Sequence, residues 1–405
     1  MNEWKTYKLS EIGTIVGGAT PSTSVARFYG GDIPWLTPKD LSTFQGRFIG
    51  HGERNITQAG LDSCSAQLLP AGTVLFSSRA PIGYVAIAKN PITTNQGFKS
   101  VIPNEDVDSL FLYYSLKYNK EKIESMGSGT TFKEVSGSTM KNVEISLPSL
   151  KEQKRIAKLL GSIDDKIETN YRINDNLEQQ AQALFDKLIS EHEFETMPIS
   201  DIPHIIETGR RPKGGVANIT TGVPSIGAEN IKGLGYYDYS KTKYIPEDFA
   251  DNLKKGFIKG YELLIYKDGG KPGYFIPNFS IFGEGFPFEK MALNEHVFLL
   301  DFHNKGYNFF VYFYLQTEAI MKYLNAQGSK AAIPGIIRGD IESINLPTLG
   351  NENVINFCKV VEPIITTILN NAKESTRLAT LRDTLLPKLM SGELSVDDVS
   401  TDLVC

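Results

Sequence analysis

The chain has few of the residues from which catalytic and metal sites are most often built: three cysteines, five histidines and two tryptophans in 405 residues. Cys64, Cys358 and Cys405 are scattered, form no C-x-x-C pair and leave an odd thiol. That argues against a disulfide framework or a structural zinc site and fits a reducing compartment. His51, His192, His204, His296 and His303 never stand four apart on a helix, nor in ligand spacing with a Cys or carboxylate, so no metal site is expected. No G-K-[ST] occurs, which removes the Walker A cradle for ATP phosphates. No run of about 18 uncharged apolar residues occurs, and Met1-Asn2-Glu3-Trp4-Lys5 opens no signal peptide, so a soluble, cytoplasmic protein without membrane contact is expected. Positive charge is also short: 42 basic against 47 acidic residues give −5. Because Lys and Arg supply most non-specific affinity for phosphates, a free-standing nucleic-acid binder is not expected.

What is present is an ordinary globular composition, 41% hydrophobic and 22% charged. At roughly 150 residues per domain the chain divides into two or three domains.

Several strings imitate catalytic motifs and fail in detail. Asn90-Pro91-Ile92-Thr93 lacks the second proline and the aromatic residue of the N-P-P-aromatic motif of amino-methyltransferases. Gly127-Ser128-Gly129-Thr130-Thr131-Phe132 lacks the third glycine of G-x-G-x-x-G and follows a helix-like segment, not a strand. Glu152-Gln153-Lys154 and Asp164-Asp165-Lys166 have nuclease-like spacing, but both fall in a long helical pattern where charged residues are expected to form a solvated face.

The dominant feature is an internal repeat. Leu9-Ser10-Glu11-Ile12 returns as Ile199-Ser200-Asp201-Ile202, and Asp32-Ile33-Pro34-Trp35-Leu36 as Gly222-Val223-Pro224-Ser225-Ile226. Gly83-Tyr84 then matches Gly273-Tyr274, and the aromatic run Phe111 to Leu116 matches Phe310 to Leu315. Finally Val143 to Leu150, containing Leu147-Pro148, matches Glu342 to Leu349, containing Leu346-Pro347. Five matches in one order indicate a tandem duplication, because the period is far too long for a solenoid unit. Two similar sites follow from two copies.

Each copy opens with short β-rich runs broken by Gly and Pro: Thr73 to Phe76, Tyr84 to Ala88 and Val143 to Leu147 in the first, Tyr261 to Tyr266 and Val297 to Phe302 in the second. A helix is expected over Leu110 to Ser125 and another over Tyr307 to Leu324. The fold class is therefore α/β or α+β.

After each Leu-Pro the texture changes. Ile156, Leu160, Ile163, Ile167, Asn170, Asn174, Leu177, Ala181, Leu184 and Leu188 alternate spacings of four and three. So do Val354, Phe357, Val361, Ile364, Ile368, Asn371, Ser375, Leu378, Arg382, Leu385 and Leu389. Both are heptad seams. Pro363 is expected to kink the second or to begin a fresh segment, and Gly392 to stop it. Two helices of about 40 residues would each reach about 60 Å. Antiparallel pairing satisfies both stripes and brings Asn170 and Asn174 near Asn371 and Ser375, a polar layer that sets register. The resulting division is 1–149, first globule; 150–190, first long helix; 191–348, second globule; 349–392, second long helix; 393–405, tail.

Tandem variable globules, each followed by a long helix, with Leu147-Pro148-Ser149-Leu150-Lys151-Glu152-Gln153 leading into the first and Leu381-Arg382-Asp383-Thr384-Leu385-Leu386-Pro387-Lys388-Leu389-Met390-Ser391-Gly392-Glu393-Leu394 ending the second, resemble one family closely. The chain resembles the specificity subunit of type I restriction-modification systems from about Trp4 to Leu394. The second copy departs in having Ser225 for Trp35, Gly350-Asn351-Glu352 after its Leu-Pro, and Pro363. The resemblance implies two target-recognition domains with pseudo-two-fold symmetry, each reading half of a bipartite double-stranded DNA target. It implies that the antiparallel coiled coil sets the spacer and docks two methyltransferase subunits, with restriction subunits added. It also implies no catalysis or cofactor in this chain, with S-adenosylmethionine, ATP and magnesium held by the partners.

Base edges favour Arg and Lys for guanine, Asn and Gln for adenine, and Ser or Thr more loosely. Candidate DNA contacts in the first domain are Thr37, Lys39, Ser78, Arg79, Asn95, Gln96, Ser128, Thr130, Thr131 and Lys133, all in turn-rich stretches. In the second they are Arg210, Arg211, Lys213, Asn230 beside Glu229, Lys267 beside Asp268, Lys271, Asn294-Glu295, Ser329, Lys330 and Arg338. Two other classes stay open: a coiled-coil scaffold with ligand- or protein-binding globules, and an enzyme with an unrecognised site.

Overall fold

The computed structural model describes residues 4–129, 133–269, 271, 273–330 and 333–399. Strands of the first half are β1 (Lys5–Lys8), β2 (Gly13–Gly17), β3 (Tyr29–Leu36), β4 (Phe48–Ile49), β5 (Arg54–Ile56), β6 (Val74–Ser78), β7 (Ile82–Ala88), β8 (Thr93–Thr94), β9 (Lys99–Pro103) and β10 (Glu144–Leu147). They form sheets in the orders β2-β9-β6-β7-β4, β5-β3-β8 and β1-β10. In the second half come β11 (Thr196–Pro198), β12 (Ile205–Thr208), β13 (Val223–Ile226), β14 (Gly233–Leu234), β15 (Lys243–Ile245), β16 (Leu263–Tyr266), β17 (Phe279–Ile281), β18 (Ala292–Leu293), β19 (Val297–Asp301) and β20 (Asn345–Pro347). Their orders are β12-β19-β16-β17-β14, β15-β13-β18 and β11-β20, the same topology strand for strand. The central strands β6 and β16 are buried on both faces, which is why each reads as a short continuous apolar run instead of an alternating one.

Each single helix expected from the aromatic runs is two. Ser109–Tyr118 and Lys120–Ser125 meet at Asn119, whose backbone N–H and side-chain amide both donate to Ser115 O, at 3.0 and 2.8 Å. Lys305–Leu315 and Glu318–Gly328 are separated by Gln316 and Thr317, with Thr317 Oγ1 donating to Tyr314 O at 2.8 Å.

The long helices run Leu150–Glu191 and Glu352–Met390. The chain forms two compact units, Met1–Glu168 with Leu378–Cys405, and Thr169–Arg377, so each unit holds one globule and a portion of both helices. In the first, Ile156, Leu160, Ile163 and Ile167 share a core with Leu385, Leu386, Leu389 and the globule's Phe111 and Leu112. Asp164 pairs with Arg382, and Arg155 with Asp397, so the portions are antiparallel. In the second, Asn174 Oδ1 accepts from Asn371 at 2.8 Å, and Asn170 Nδ2 donates to Glu374 at 2.7 Å and Ser375 at 3.2 Å. Phe185 meets Phe357 further along, again antiparallel. Leu177, Ile364 and Leu378 are half-buried, while Leu188 and Ile368 are buried.

Several expectations change. The second helix continues through Pro363, whose ring faces solvent, so only the missing donor is lost and the turn holds. Leu184 is exposed, and Phe185 takes the buried position, its ring 5.8–5.9 Å from those of Phe310, Phe313 and Phe357 and stacked on Phe313 alone of the three. Similarly Ile365, not Ile364, is fully buried. Both shifts have one cause: the helices face their own globule as well as each other, so the apolar stripe is wider than a strict heptad seam. Phe185→Ala is therefore expected to cost about 3–5 kcal/mol, whereas Leu184→Ala stays within about 0.5 kcal/mol. Denaturant titration of the two variants measures the contrast, and equal losses would refute it.

In Asp164-Asp165-Lys166, Asp165 and Lys166 are exposed as expected and only Asp164 leaves the solvated face. Asp164 is buried and accepts from Tyr114 Oη and Arg382 Nη1, both at 2.6 Å. Asp165 and Glu168 bind the buried Arg47, which also donates to Gly161 O at 3.1 Å. Burial alone would lower the Arg47 pKa, but the hydrogen bond to Glu168 and the neighbouring charges raise it, so the guanidinium stays charged. In Glu152-Gln153, Gln153 is buried, donating to Pro148 O and accepting from Asp108 N at 3.0 Å each, which anchors the first turn of the long helix.

Candidate nucleic-acid interface

In the first domain the four candidate segments, distant in sequence, converge. Ser78 N donates to Gly97 O at 2.7 Å, Val135 N to Ser78 O at 2.9 Å, and Asn95 N to Leu36 O at 2.8 Å. Ser128 and Glu134 close their loop with two backbone bonds of 3.0 and 2.9 Å. Backbone bonds thus tie the end of β6, the β8–β9 turn, the end of β3, and Ser128 with Glu134 and Val135 into one surface.

The second domain repeats this frame. Lys267 N donates to His296 O at 2.9 Å, Ile336 N to Lys267 O at 2.8 Å, and Asn294 N to Ile226 O at 2.9 Å. Asn95 Oδ1 accepts from Gly97 N, and Asn294 Oδ1 from His296 N, each at 2.8 Å. Gly18 and Gly209 occupy the same place, where a Cβ would fall 2.1 Å from Asn95 O in one copy and 1.6 Å from Leu293 O in the other, so only glycine fits.

On this common frame the side chains differ. In the first domain Glu134 lies 3.4 Å from both Arg79 and Lys99, and exposed Gln96 accepts from Thr20 Oγ1. Ser128 and Lys133 are exposed. Lys39 pairs with Glu53 at 2.9 Å at a highly exposed position, where such a bond contributes little. Thr37 starts the short helix Pro38–Ser42, its hydroxyl and amide donating to Asp40 at 2.7 Å. Thr130 and Thr131 lie outside the described residues.

In the second domain Arg211 Nε donates to both Glu295 oxygens at 2.8 Å, and its Nη2 donates to His296 Nε2 at 2.6 Å. His296 Nδ1 meets Asp268, which also lies 3.3 Å from Lys267 Nζ. An imidazole that accepts at Nε2 donates at Nδ1, so the neutral tautomer suits this chain of bonds. Partial burial opposes ionisation of Glu295, but the Arg211 guanidinium prevails and holds its carboxyl below the ordinary range. Arg210, Arg211, Pro212, Gly215 and Glu295 line a cavity of about 480 Å³. Arg210, Lys213 and Lys271 are exposed; Lys330 donates to Gln327 at 2.6 Å, Arg338 to Glu342 at 2.7 Å, and Ser329 follows the helix that ends at Gly328.

Two candidates turn inward. Ser78 is fully buried and donates to Gly97 O at 3.2 Å, because β6 is covered on both faces. Asn230 is buried, accepting from Gly227 N at 2.9 Å in a tight turn. Sequence reasoning passed over Thr20 and His296. Thr20 carried no signal, and His296 was judged only by metal spacing. The one available clue is its place two residues after Asn294 in the second copy.

Two copies of one sheet frame, each presenting a different polar cluster and each joined to long paired helices, define a tandem two-module recognition protein. Residues 1–179 match the family model described as type I restriction modification DNA specificity domain. The chain is 34% identical to the type I restriction enzyme MjaIX specificity subunit of Methanocaldococcus jannaschii, over 98% of this chain and 95% of that one. It is 25% identical to the EcoprrI specificity subunit of Escherichia coli, over 93% and 90%. The crystal structure of the type I restriction-modification S subunit from M. genitalium shares the fold, with TM-score 0.58 at 18% identity over 96% of each chain. The chain belongs to the type I restriction enzyme specificity subunits. No helix among the described residues is long and apolar enough to cross a membrane.

Proposed function

We propose that this chain is the DNA-reading subunit of a type I restriction-modification complex, each globule reading one half of a bipartite double-stranded target. The observation that supports it best is the frame built twice with different side chains, since a protein reading two unlike half-sites needs equivalent positions with unlike hydrogen-bonding groups. In this reading 1–149 and 191–348 are the recognition domains, 150–190 and 349–392 set the spacer and dock two methyltransferase subunits, and 393–405 is a tail. Restriction subunits join the assembly in the cytoplasm. This chain does no chemistry; S-adenosylmethionine, ATP and magnesium belong to the partners.

Charge supports the dependence on partners. Arg211 is matched by Glu295, Arg79 and Lys99 share Glu134, and the whole chain carries −5, so phosphate contacts fall to exposed cations such as Lys133, Arg210, Lys213 and Lys271. Mapping methylated adenines across a genome with and without the chain tests the function, and an unchanged map would refute it. Arg79→Ala is expected to lower methylation at the native site while the melting temperature stays within about 2 °C, because the pair it breaks is only partly buried. Undiminished methylation would remove Arg79 from the interface.

A further inference from the structure

The two frames place one pair of side chains at the same position in each domain. In the first, Gly17 at the end of β2 lies opposite Lys99, and three residues later Thr20 donates to Gln96. In the second, Thr208 at the end of β12 lies opposite Phe298, and three residues later Arg211 grips Glu295. Gln96 and Glu295 each follow the asparagine whose side chain closes the turn, Asn95 and Asn294. The asparagines are thus identical and committed to backbone, whereas the residues next to them differ and are at least partly open to solvent.

Resting on the DNA-reading function, we propose that Thr20–Gln96 and Arg211–Glu295 are equivalent specificity pairs, each setting one base pair in its own half-site. The chemistry of the two differs in a definite way. A glutamine amide can donate to and accept from an adenine edge together, so the first pair suits an A·T pair. A carboxylate only accepts, which suits the cytosine amino group, and a guanidinium beside it suits guanine O6 and N7. The second pair therefore suits a G·C pair, with both partners of the Arg–Glu bond exchanging it for contacts to the two bases. The mutual bond restrains both side chains before DNA arrives, which reduces the rotamer freedom lost on binding. Asn95 and Asn294 are excluded as readers because each side-chain oxygen holds its own backbone turn, whereas the Thr20–Gln96 and Arg211–Glu295 bonds join side chains that can exchange them for base contacts.

The experiment uses the complete methyltransferase–specificity complex and duplexes carrying the mapped native site with all four base pairs substituted at every half-site position. Glu295→Gln is expected to reduce discrimination at one G·C position of the second half-site by about 10- to 100-fold. The first half-site and the spacer should stay unchanged. Gln96→Glu should do the converse, altering one A·T position of the first half-site. Because base preferences are compared within each variant, a variant that binds more weakly overall still reports. Discrimination equal to wild type at every position in both variants, or a loss spread evenly over both half-sites, overturns the assignment. A wild-type complex with no base preference anywhere would instead overturn the DNA-reading function, and the assignment with it.

Discussion

Replacing Asp164 by alanine is expected to destabilise the first unit by about 3–5 kcal/mol, the range for breaking one partner out of a buried ion pair. The side chain, carried by the helix Leu150–Glu191, is buried and accepts hydrogen bonds from Tyr114 and Arg382. Burial, with the Asp164 carboxylate beside it, pushes the Tyr114 phenol far above its ordinary pKa, so it stays a donor. Alanine leaves the fully buried Tyr114 phenol without its acceptor and strips Arg382 of its buried carboxylate, leaving the guanidinium only its bond to the exposed Asp383. Asp164→Asn should cost less, since an amide oxygen still accepts from Tyr114. The double replacement Asp164→Leu with Arg382→Leu should recover only the part of the loss that comes from the unpaired guanidinium, because apolar residues can replace an ion pair at little cost but leave Tyr114 Oη without an acceptor. Denaturant titration of the three variants gives the answer; a loss below about 1 kcal/mol for Asp164→Ala would show that the pair is already solvated.

Seven residues inserted between Asn170 and Asn174, matched by seven between Asn371 and Ser375, are expected to lengthen the DNA spacer without changing the bases read. Both insertions keep the contacts Asn170–Ser375 and Asn174–Asn371 within their helices. A heptad returns the apolar stripe to the same face, so pairing survives. At 1.5 Å per residue the helices gain about 10 Å, and at 3.4 Å per base pair that corresponds to at most about 3 base pairs. Methylation mapping reads the spacer directly. Sites with the original spacer at undiminished frequency would refute the ruler role of the helices.

The duplication was legible because it is a pattern of order: Leu-Pro before each helix, an aromatic run before each Leu-Pro, and a short β-rich run before that. Heptad spacing likewise exposed the helices and the Asn170, Asn174, Asn371 and Ser375 layer. Boundaries were less legible where local chemistry decides them, as at Asn119, whose side chain ends one helix, and at Thr317, which begins another. The polar surface was half legible. Residue type and turn propensity selected Arg79, Gln96, Arg211 and Glu295, but they also selected Ser78 and Asn230, which point inward.

From sequence alone came the two-copy plan, the α/β class, the long helices and the family, since each depends on periodicity and order along the chain. Only the tertiary structure decided that Phe185 and not Leu184 is buried, that Asp164 is a core residue, and that Thr20 meets Gln96 as Arg211 meets Glu295. Those outcomes depend on which surfaces meet across 50 or more residues of chain. Side-chain burial and pairing are properties of the partner as much as of the residue, and the partner is chosen only when the sheets close.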